Sequence, residues 1–239
     1  MTKAQASIPR QQWESNLKAE AAFWSNWLGE GVAKSNNAIA DDFHFRTRPH
    51  ADMRLKDMFA PYLRPSCPPG SKARILDVGA GPLTWFPREW KTRDYVITPI
   101  DPLADEYDKM LGAYNITPQF RTIKGEAETL DAQFPPDSFH LVFCRNALEE
   151  FYDPLGGIRQ MLKVVQPNCC VMFIQEDYRS DDQKSRGPWT LEESNADLYL
   201  NLHNDKIDLA MEFADVATVR AQRSWHWPWV LGAFKKETI

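Results

Sequence analysis

The chain has 239 residues, of which 43% are hydrophobic and 26% are charged. This composition is typical of a folded globular protein and excludes a disordered or fibrous one. The formal net charge is −5, and the 28 Lys and Arg residues are dispersed along the chain. Such a surface repels the phosphate backbone, so we expect no nucleic-acid partner.

The cysteines and the hydropathy pattern indicate the compartment. The four cysteines form neither a C-x-x-C pair nor the framework of a disulfide-rich domain, which favours a reducing environment. Charged residues interrupt the first thirty positions, and no stretch approaches the roughly 18 apolar residues of a membrane span. We therefore expect a cytoplasmic protein without a membrane span.

The first predicted elements are helices. Apolar residues recur every three or four positions over residues 11–28, which predicts an amphipathic helix. A second helical pattern covers residues 53–63, and a proline-rich stretch ends it. These two helices predict an N-terminal helical cap over residues 1–69, followed by a core over residues 70–239 that completes one structural unit.

The remaining chain alternates short apolar runs with helical segments. Strands are predicted at residues 74–78, 95–100, 119–123, 139–143 and 169–174. A long helical pattern then covers 191–213, and two final strands fall within 218–234. Strands that alternate with helices predict right-handed crossovers and an α/β fold, with a mostly parallel sheet covered by helices on both faces.

The first strand leads into a glycine turn, Asp77-Val78-Gly79-Ala80-Gly81. A dinucleotide fingerprint requires a third glycine where Thr84 stands, which weakens a nicotinamide or flavin interpretation. Asp101 ends the second strand, 20 residues beyond Gly81, where a carboxylate can accept two hydrogen bonds from a ribose diol. That feature is common to dinucleotide and S-adenosylmethionine sites, so it does not separate them.

An acidic residue two positions before the first glycine is typical of the class I, Rossmann-like methyltransferases that use S-adenosylmethionine. The chain resembles this family from about Arg74 to Phe234. Gly125-Glu126-Ala127-Glu128 is similar to its third motif, in which an acidic side chain and the next backbone amide contact the adenine edge. Cys144-Arg145-Asn146 resembles the segment that borders the methionine end of the cofactor.

The resemblance implies a Rossmann-like methyltransferase fold. It also implies S-adenosylmethionine as cofactor and S-adenosylhomocysteine as product. Separately, we expect no metal, because the cluster with metal-ligand residue types, Asp41, Asp42, His44, His50 and Asp52, does not have the spacing of a metal site. The cofactor-binding residues that it implies are Asp77, Gly79, Ala80, Gly81, Asp101, Pro102, Glu126, Ala127, Glu128, Arg145 and Asn146.

The resemblance extends to one subgroup of the family through three segments, the turn at 79–84 and residues 101–107 and 146–148. They are similar to a type 11-like bacterial subgroup associated with glycan and polysaccharide biosynthesis. This implies O-methylation of a sugar or another small-molecule hydroxyl. An amine or carboxylate acceptor and a non-catalytic cofactor-binding partner protein stay open as alternatives. The oligomeric state also stays open, a homodimer included.

Three residues are candidate catalytic bases. Methyl transfer is an in-line displacement, so a base is useful when the acceptor is a hydroxyl but is not obligatory. His203 falls in the late helical pattern, and its ordinary pKa suits proton abstraction near neutrality. Glu150 stands where the subgroup often has His, and Glu149 precedes it. The alternative for both glutamates is an exposed acidic helix start, and His203 also admits a structural role.

Two further features lie outside the motifs. Arg46 is either a ligand for a carboxylate of the cofactor or acceptor, through a bidentate pair, or a solvated loop residue. The charged segment 177–189 is either a lid over the acceptor or a surface loop without function.

Overall fold

The structure is a computed structural model that describes residues 7–34, 37–47, 67, 72–86, 95–176, 188–202, 205–223 and 229–238. Three predictions concern residues beyond these ranges. They are the helix over 53–63, most of the proposed lid over 177–189, and the base His203.

The helices of the described residues are α1 (Arg10–Val32), α2 (Ala38–Thr47), α3 (Ala104–Ala113), α4 (Pro154–Val164) and α5 (Leu209–Glu212). The predicted helix over 11–28 is therefore present as α1. At the start of α4, the Asp153 carboxylate accepts a hydrogen bond from the Gly156 amide at 2.9 Å, and Pro154 occupies the first turn. Within the described parts of the chain, no helix is long and apolar enough to cross a membrane.

The strands are β1 (Ala73–Val78), β2 (Tyr95–Asp101), β3 (Ile123–Lys124), β4 (Phe139–Arg145), β5 (Val165–Glu176), β6 (Thr190–Ser194), β7 (Asp197–Leu202), β8 (Asp205–Asp208), β9 (Ala217–Arg223) and β10 (Trp229–Lys236). Seven of them form one sheet in the order β3-β2-β1-β4-β5-β10-β9. The first five in this order pair in parallel, whereas β10 runs antiparallel to both β5 and β9. The predicted mostly parallel α/β sheet is confirmed.

The long helix predicted over 191–213 is wrong. Strands β6, β7 and β8 form an antiparallel three-stranded sheet there, and only the short helix α5 follows. Leu198 and Leu200 are both fully buried, and their spacing of two residues places them on the same face of a strand. Leu198 packs against Gly232 of β10, where an added Cβ would lie 2.5 Å from a leucine methyl group. Packing against the main sheet therefore decides the local structure.

The strands of the parallel sheet are buried on both faces. Leu76 of β1 belongs to a hydrophobic cluster with Ile158 and Met161 of α4, whereas Ile75 belongs to a second cluster with Phe143. Neighbouring residues on one strand thus fill opposite cores, which explains why the strands read as continuous apolar runs.

Helix α1 lies across that carboxyl edge. It has 23 residues, which corresponds to a length of about 34 Å. Its last turn packs closely on α2, because an added Cβ at Gly31 would lie 2.3 Å from the Phe43 ring. The Trp27 and Phe43 ring centroids are 5.4 Å apart. Helices α1 and α2 therefore form one layer above the ends of the strands.

Gly81 tests how tightly this layer fits the sheet. Its φ is +69°, and an added Cβ would lie 2.8 Å from the Trp24 indole of α1. We expect Gly81→Ala to lower the free energy of unfolding by at least about 1–2 kcal/mol. An alanine is strained in the left-handed backbone conformation of this position, and its Cβ would displace the Trp24 indole. Chemical denaturation measures this change.

Gly112→Ala in α3 is the matched control, because its added Cβ meets nothing within 4 Å. It should leave stability unchanged or raise it by up to about 1 kcal/mol. Equal stability of the two variants would contradict the described packing.

Candidate functional site

A cavity of about 1080 Å³ lies between the carboxyl edge of the sheet and the layer of α1 and α2. Its position agrees with the rule that ligands bind beyond the carboxyl ends of parallel strands, where β1 and β4 lie side by side. The volume is at the upper end of the range of about 300–1,000 Å³ for small-molecule sites, which leaves room for two molecules. All the predicted cofactor residues line this cavity except Gly81.

The glycine turn shapes the floor of the cavity. Gly79 has a φ of +69°, and an added Cβ would lie 2.3 Å from the Ala147 side chain. The Gly79 and Ala80 amides donate to the Ile100 carbonyl of β2 at 2.9 and 3.1 Å. Gly81 lies against Trp24 instead of facing the cavity, and its carbonyl accepts from the Thr122 hydroxyl at 2.8 Å. These contacts with β2, α1 and Ala147 fix the position of the turn, and the absence of a side chain at Gly79 lets a ligand approach the backbone closely.

Two buried carboxylates stand beside the turn. Asp77 accepts a hydrogen bond from the Thr84 hydroxyl at 2.5 Å. Asp101 is 7% exposed and accepts from the Gly81 amide at 3.1 Å and from the Leu103 amide at 3.0 Å, one bond on each oxygen. The Tyr107 hydroxyl also lies beside this carboxylate, which keeps acceptor capacity for a ligand. Burial raises the pKa of both carboxyls to about 6, against the opposing effect of these hydrogen bonds.

The segment after β3 meets the first turn of α1. The Glu126 carboxylate accepts two hydrogen bonds from the Arg10 guanidinium, at 2.6 and 2.7 Å. Ala127 is buried beneath it. The Glu128 carboxylate accepts from the amides of Tyr152 and Asp153, at 2.9 and 3.2 Å. Burial raises the pKa of Glu128 to about 7. Glu128 therefore also fixes the loop that precedes α4.

Two arginines enter the cavity beside Asp77. Arg46 is not a solvated loop residue, since its side chain is 8% exposed and donates to Asp42 at 2.9 Å and to the Leu83 carbonyl at 2.7 Å. Arg145 lies over the Trp85 ring at 4.6 Å, with its guanidinium 3.8 Å from the Asp42 carboxylate. Burial, reinforced by the nearby charge of Arg46, lowers the pKa of Arg145 to about 10. Arg145 is therefore still charged at neutral pH.

Asn146 joins the ends of β4 and β5. Its amide donates to the Ile174 carbonyl at 2.9 Å, and its side-chain oxygen accepts from the Glu176 amide at 3.0 Å. The left-handed φ of +49° at Asn146 permits this arrangement. Glu176, the last residue of β5, consequently lines the cavity on the side away from Asp101.

The candidate bases Glu149 and Glu150 both line the cavity from the short 3₁₀ turn after β4. Glu149 is 4% exposed, so it is not part of an exposed acidic helix start. Glu150 is partly exposed, and its carbonyl accepts a hydrogen bond from the Trp13 indole at 2.8 Å. In the described ranges, no group of three or more His, Cys, Asp and Glu side chains is arranged to hold a metal ion.

Sequence reasoning missed Arg10, Asp42, Trp85 and Glu176 as residues of the site. Glu176 carried a usable signal, since it closes an apolar run at the carboxyl end of a strand. Arg10 carried none, because its partner Glu126 lies 116 residues away.

A comparison with family models identifies residues 46–219 as a methyltransferase domain. The chain belongs to this methyltransferase family. The match covers most of the chain and includes the strands β1 to β8. No curated protein sequence matches the chain.

Solved structures of similar fold agree with this assignment. An S-adenosylmethionine-dependent methyltransferase from Aquifex aeolicus has a TM-score of 0.50 at 12% identity, over 85% of this chain and 96% of its own. A Methanococcus maripaludis protein, described as a candidate for the same class, has a TM-score of 0.51 at 8% identity, over 77% and 84%. These similarities confirm the Rossmann-like methyltransferase fold.

S-adenosylmethionine is the cofactor of this methyltransferase, as the sequence predicted and the family match supports. The residues of the cavity fit it. The free acceptor sites on Asp101 suit a ribose diol, and the turn at Gly79 has no room for a side chain beside the ligand path. Arg46 and Arg145 suit a carboxylate, whereas Asp77 suits an ammonium group.

The raised pKa of Asp101 predicts how cofactor binding depends on pH. An ionised carboxylate accepts hydrogen bonds from a diol, and its protonated form loses acceptor capacity. Affinity for S-adenosylhomocysteine should therefore fall as the pH drops below about 6 and level off above it. Asp101→Asn should bind more weakly and lose the part of that dependence that comes from Asp101, whereas Asp77, whose pKa is also raised to about 6, keeps its own part. Calorimetric titration between about pH 5 and pH 7 measures this change. Asp108→Asn is the control and should behave as the wild type, because Asp108 is a partly exposed residue of α3 that does not line the cavity. A pH dependence that persists unchanged in Asp101→Asn would contradict the assignment.

Proposed function

We propose that this methyltransferase transfers a methyl group from S-adenosylmethionine to a hydroxyl of a neutral small molecule, a sugar or another small hydroxyl compound. The observation that carries the proposal is the composition of the cavity, which combines aromatic walls with carboxylates. The Phe45 and Trp85 rings stack at 5.4 Å with an angle of 29° between their planes. Ile174 and Leu231 complete an apolar surface on the β5 side. Flat apolar walls of this kind suit a ring-shaped acceptor.

The charges of the cavity favour a neutral acceptor over an anionic one. Its described lining holds ten carboxylate side chains and two guanidinium groups. S-adenosylmethionine carries a sulfonium and an ammonium group against one carboxylate, so an acidic cavity attracts it. An anionic acceptor would be repelled by the same field. The two arginines do not reverse this preference, because both lie close to the Asp42 carboxylate.

We assign the cofactor and the acceptor to different parts of the cavity. Asp101, Glu126 and Glu128 line the side of β2 and β3, where they would hold the ribose and adenine. The acceptor would lie on the opposite side, between α2, Trp85 and the end of β5. In this division α1 and α2, the described helices of the segment 1–69, cover the site, and the cofactor-binding core belongs to residues 70–239.

When bound, S-adenosylmethionine supplies a methyl group on a positively charged sulfur. The walls of the cavity would hold the acceptor oxygen in line with that methyl group, and this alignment is the main contribution of the protein. As the oxygen–carbon bond forms and the carbon–sulfur bond breaks, the electron pair of the broken bond stays on sulfur. We assign the acceptor proton to the Glu150 carboxylate, with Glu149 and His203 as the other candidate bases.

An amine is the second acceptor class that the site supports. Carboxylates attract a protonated amine as they attract a sulfonium, and Glu176 and Glu150 both line the cavity. The amine would have to lose a proton before attack, which the same carboxylates can accept.

A panel of sugars, phenols and amines distinguishes the two classes through the release of S-adenosylhomocysteine. Turnover confined to amines would contradict O-methylation, whereas cofactor binding without turnover on any acceptor would favour a non-catalytic partner protein.

Glu150→Gln tests the proposed base on the best acceptor from that panel. Removing a general base costs about 100-fold or more in rate, so kcat should fall by about that factor. The KM for S-adenosylmethionine should stay within about twofold, because Glu150 does not hold the cofactor in this scheme. The fall of kcat at acidic pH should disappear in the variant.

Glu193→Gln provides the matched control for that substitution. Glu193 accepts a hydrogen bond from the Ala196 amide at the turn between β6 and β7, outside the cavity, and a glutamine oxygen can accept the same bond. This variant should keep wild-type kinetics. A Glu150→Gln enzyme that also keeps wild-type kcat and pH profile would exclude Glu150 as the base.

A further inference from the structure

Helix α1 is fastened over the cavity at its amino end. The Arg10 guanidinium makes two hydrogen bonds to the Glu126 carboxylate, at 2.6 and 2.7 Å. The same guanidinium lies over two aromatic rings, 4.4 Å from the Trp13 centroid and 4.8 Å from that of Tyr152. Just before the helix, the Ile8 amide donates to the Tyr152 carbonyl at 2.8 Å. These contacts join the start of α1 to the segments that follow β3 and β4.

The other half of α1 is fastened by packing. The Trp24 indole fills the space beside Gly81, and its ring centroid lies 6.2 Å from that of Tyr107 in α3. Trp24 and Trp27 both lie over the Arg46 guanidinium, at 5.4 Å each. These contacts are apolar or buried, so this half of the helix opens less readily than the amino end.

The cavity lies beneath the stretch between these two attachments. Trp13, Leu17, Glu20 and Trp24 recur at intervals of three and four, and all four line the cavity. The helix therefore crosses the space that contains Asp77 and Asp101. A ligand held by those carboxylates lies under α1.

The attachment at Arg10 differs from the others in its access to water. The Arg10 side chain is 46% exposed, and the Glu126 side chain is 22% exposed. Water and salt can replace an ion pair of this exposure far more readily than the packing around Trp24. The amino end of α1 is accordingly the end that can release.

We propose that α1 acts as a strap, a helix that covers the bound cofactor, and that Arg10 acts as its latch, a positioning residue that holds the strap closed through Glu126. Release of Arg10 from Glu126 then limits the rate at which S-adenosylmethionine and S-adenosylhomocysteine exchange. This rests on the proposed function, in which Glu126 belongs to the cofactor side of the cavity. Arg10 occupies one acceptor site on each Glu126 oxygen, so the carboxylate retains capacity for a ligand. Closure of the strap and cofactor binding therefore use the same side chain.

Stopped-flow binding of S-adenosylhomocysteine tests the latch without any acceptor. Opening of a gate limits both the entry and the exit of a ligand. Arg10→Ala should therefore raise the association and dissociation rate constants together, each by about fivefold. The Kd, which is their ratio, should change less. A part of the wall that merely supports the site would instead lower the association rate and raise the dissociation rate. Tryptophan fluorescence should report the reaction, since Trp13 and Trp24 line the cavity.

Three comparisons complete the experiment. Glu126→Gln should raise the association rate constant as Arg10→Ala does, and the double variant should raise it no further. Its dissociation rate constant should rise more than in Arg10→Ala, because Glu126 also contacts the cofactor in the proposed function. Arg10→Lys keeps the charge but not the bidentate geometry, and should lie between the wild type and Arg10→Ala. Lys18→Ala, exposed on the same helix, is the matched control and should exchange at the wild-type rate. Raising the salt concentration should speed exchange in the wild type but not in Arg10→Ala.

The outcomes separate the latch from the function on which it rests. Unchanged rates in a folded Arg10→Ala, or opposite changes in the two rate constants, would overturn the latch alone. If Arg10→Ala does not fold, Arg10→Lys and the salt series on the wild type decide in the same way. A folded wild-type protein that does not bind S-adenosylhomocysteine would overturn the proposed function together with the latch.

Discussion

The site depends on the Asp101 carboxylate being held in a place where burial disfavours its charge. Asp101 accepts hydrogen bonds from the amides of Gly81 and Leu103, so one side chain joins the turn after β1 to the start of α3. Those bonds offset only part of the desolvation, and its pKa stays raised at about 6. A ligand that donates further hydrogen bonds relieves this cost. The sheet thereby presents an acceptor that is already fixed in position.

The second requirement is the aromatic layer of α1 and α2 above that edge. Without it Asp77 and Asp101 would be solvated, and their pKa values would return towards the ordinary range. The layer also gives the cavity its apolar walls. One arrangement therefore supports two parts of the proposed function, the attraction of an acidic cavity for a cationic cofactor and the space for a ring-shaped acceptor. In the proposed strap, the same arrangement makes cofactor exchange depend on α1.

The sequence predicted those parts of the site that local patterns determine. Gly79 and Asp101 each follow a buried strand, and the carboxyl ends of parallel strands meet at one edge, so their convergence followed from the fold class. The Arg10–Glu126 pair depends on where α1 docks, which no local pattern encodes. The prediction of a helix over 191–213 was wrong because the leucines of this segment fit both the 3.6-residue period of a helix and the two-residue period of a strand. Packing of Leu198 on Gly232 favours the strand over the helix. The glycan acceptor stays a prediction from resemblance.

The acidic cavity under α1 should bind S-adenosylmethionine and not a dinucleotide. Calorimetric titration of the purified protein with S-adenosylhomocysteine and, separately, with NAD distinguishes the two ligand classes. We expect one site per chain for S-adenosylhomocysteine and no heat from NAD, because the acidic lining repels a pyrophosphate. Binding of NAD with comparable affinity, or no binding of S-adenosylhomocysteine by a folded sample, would contradict this expectation.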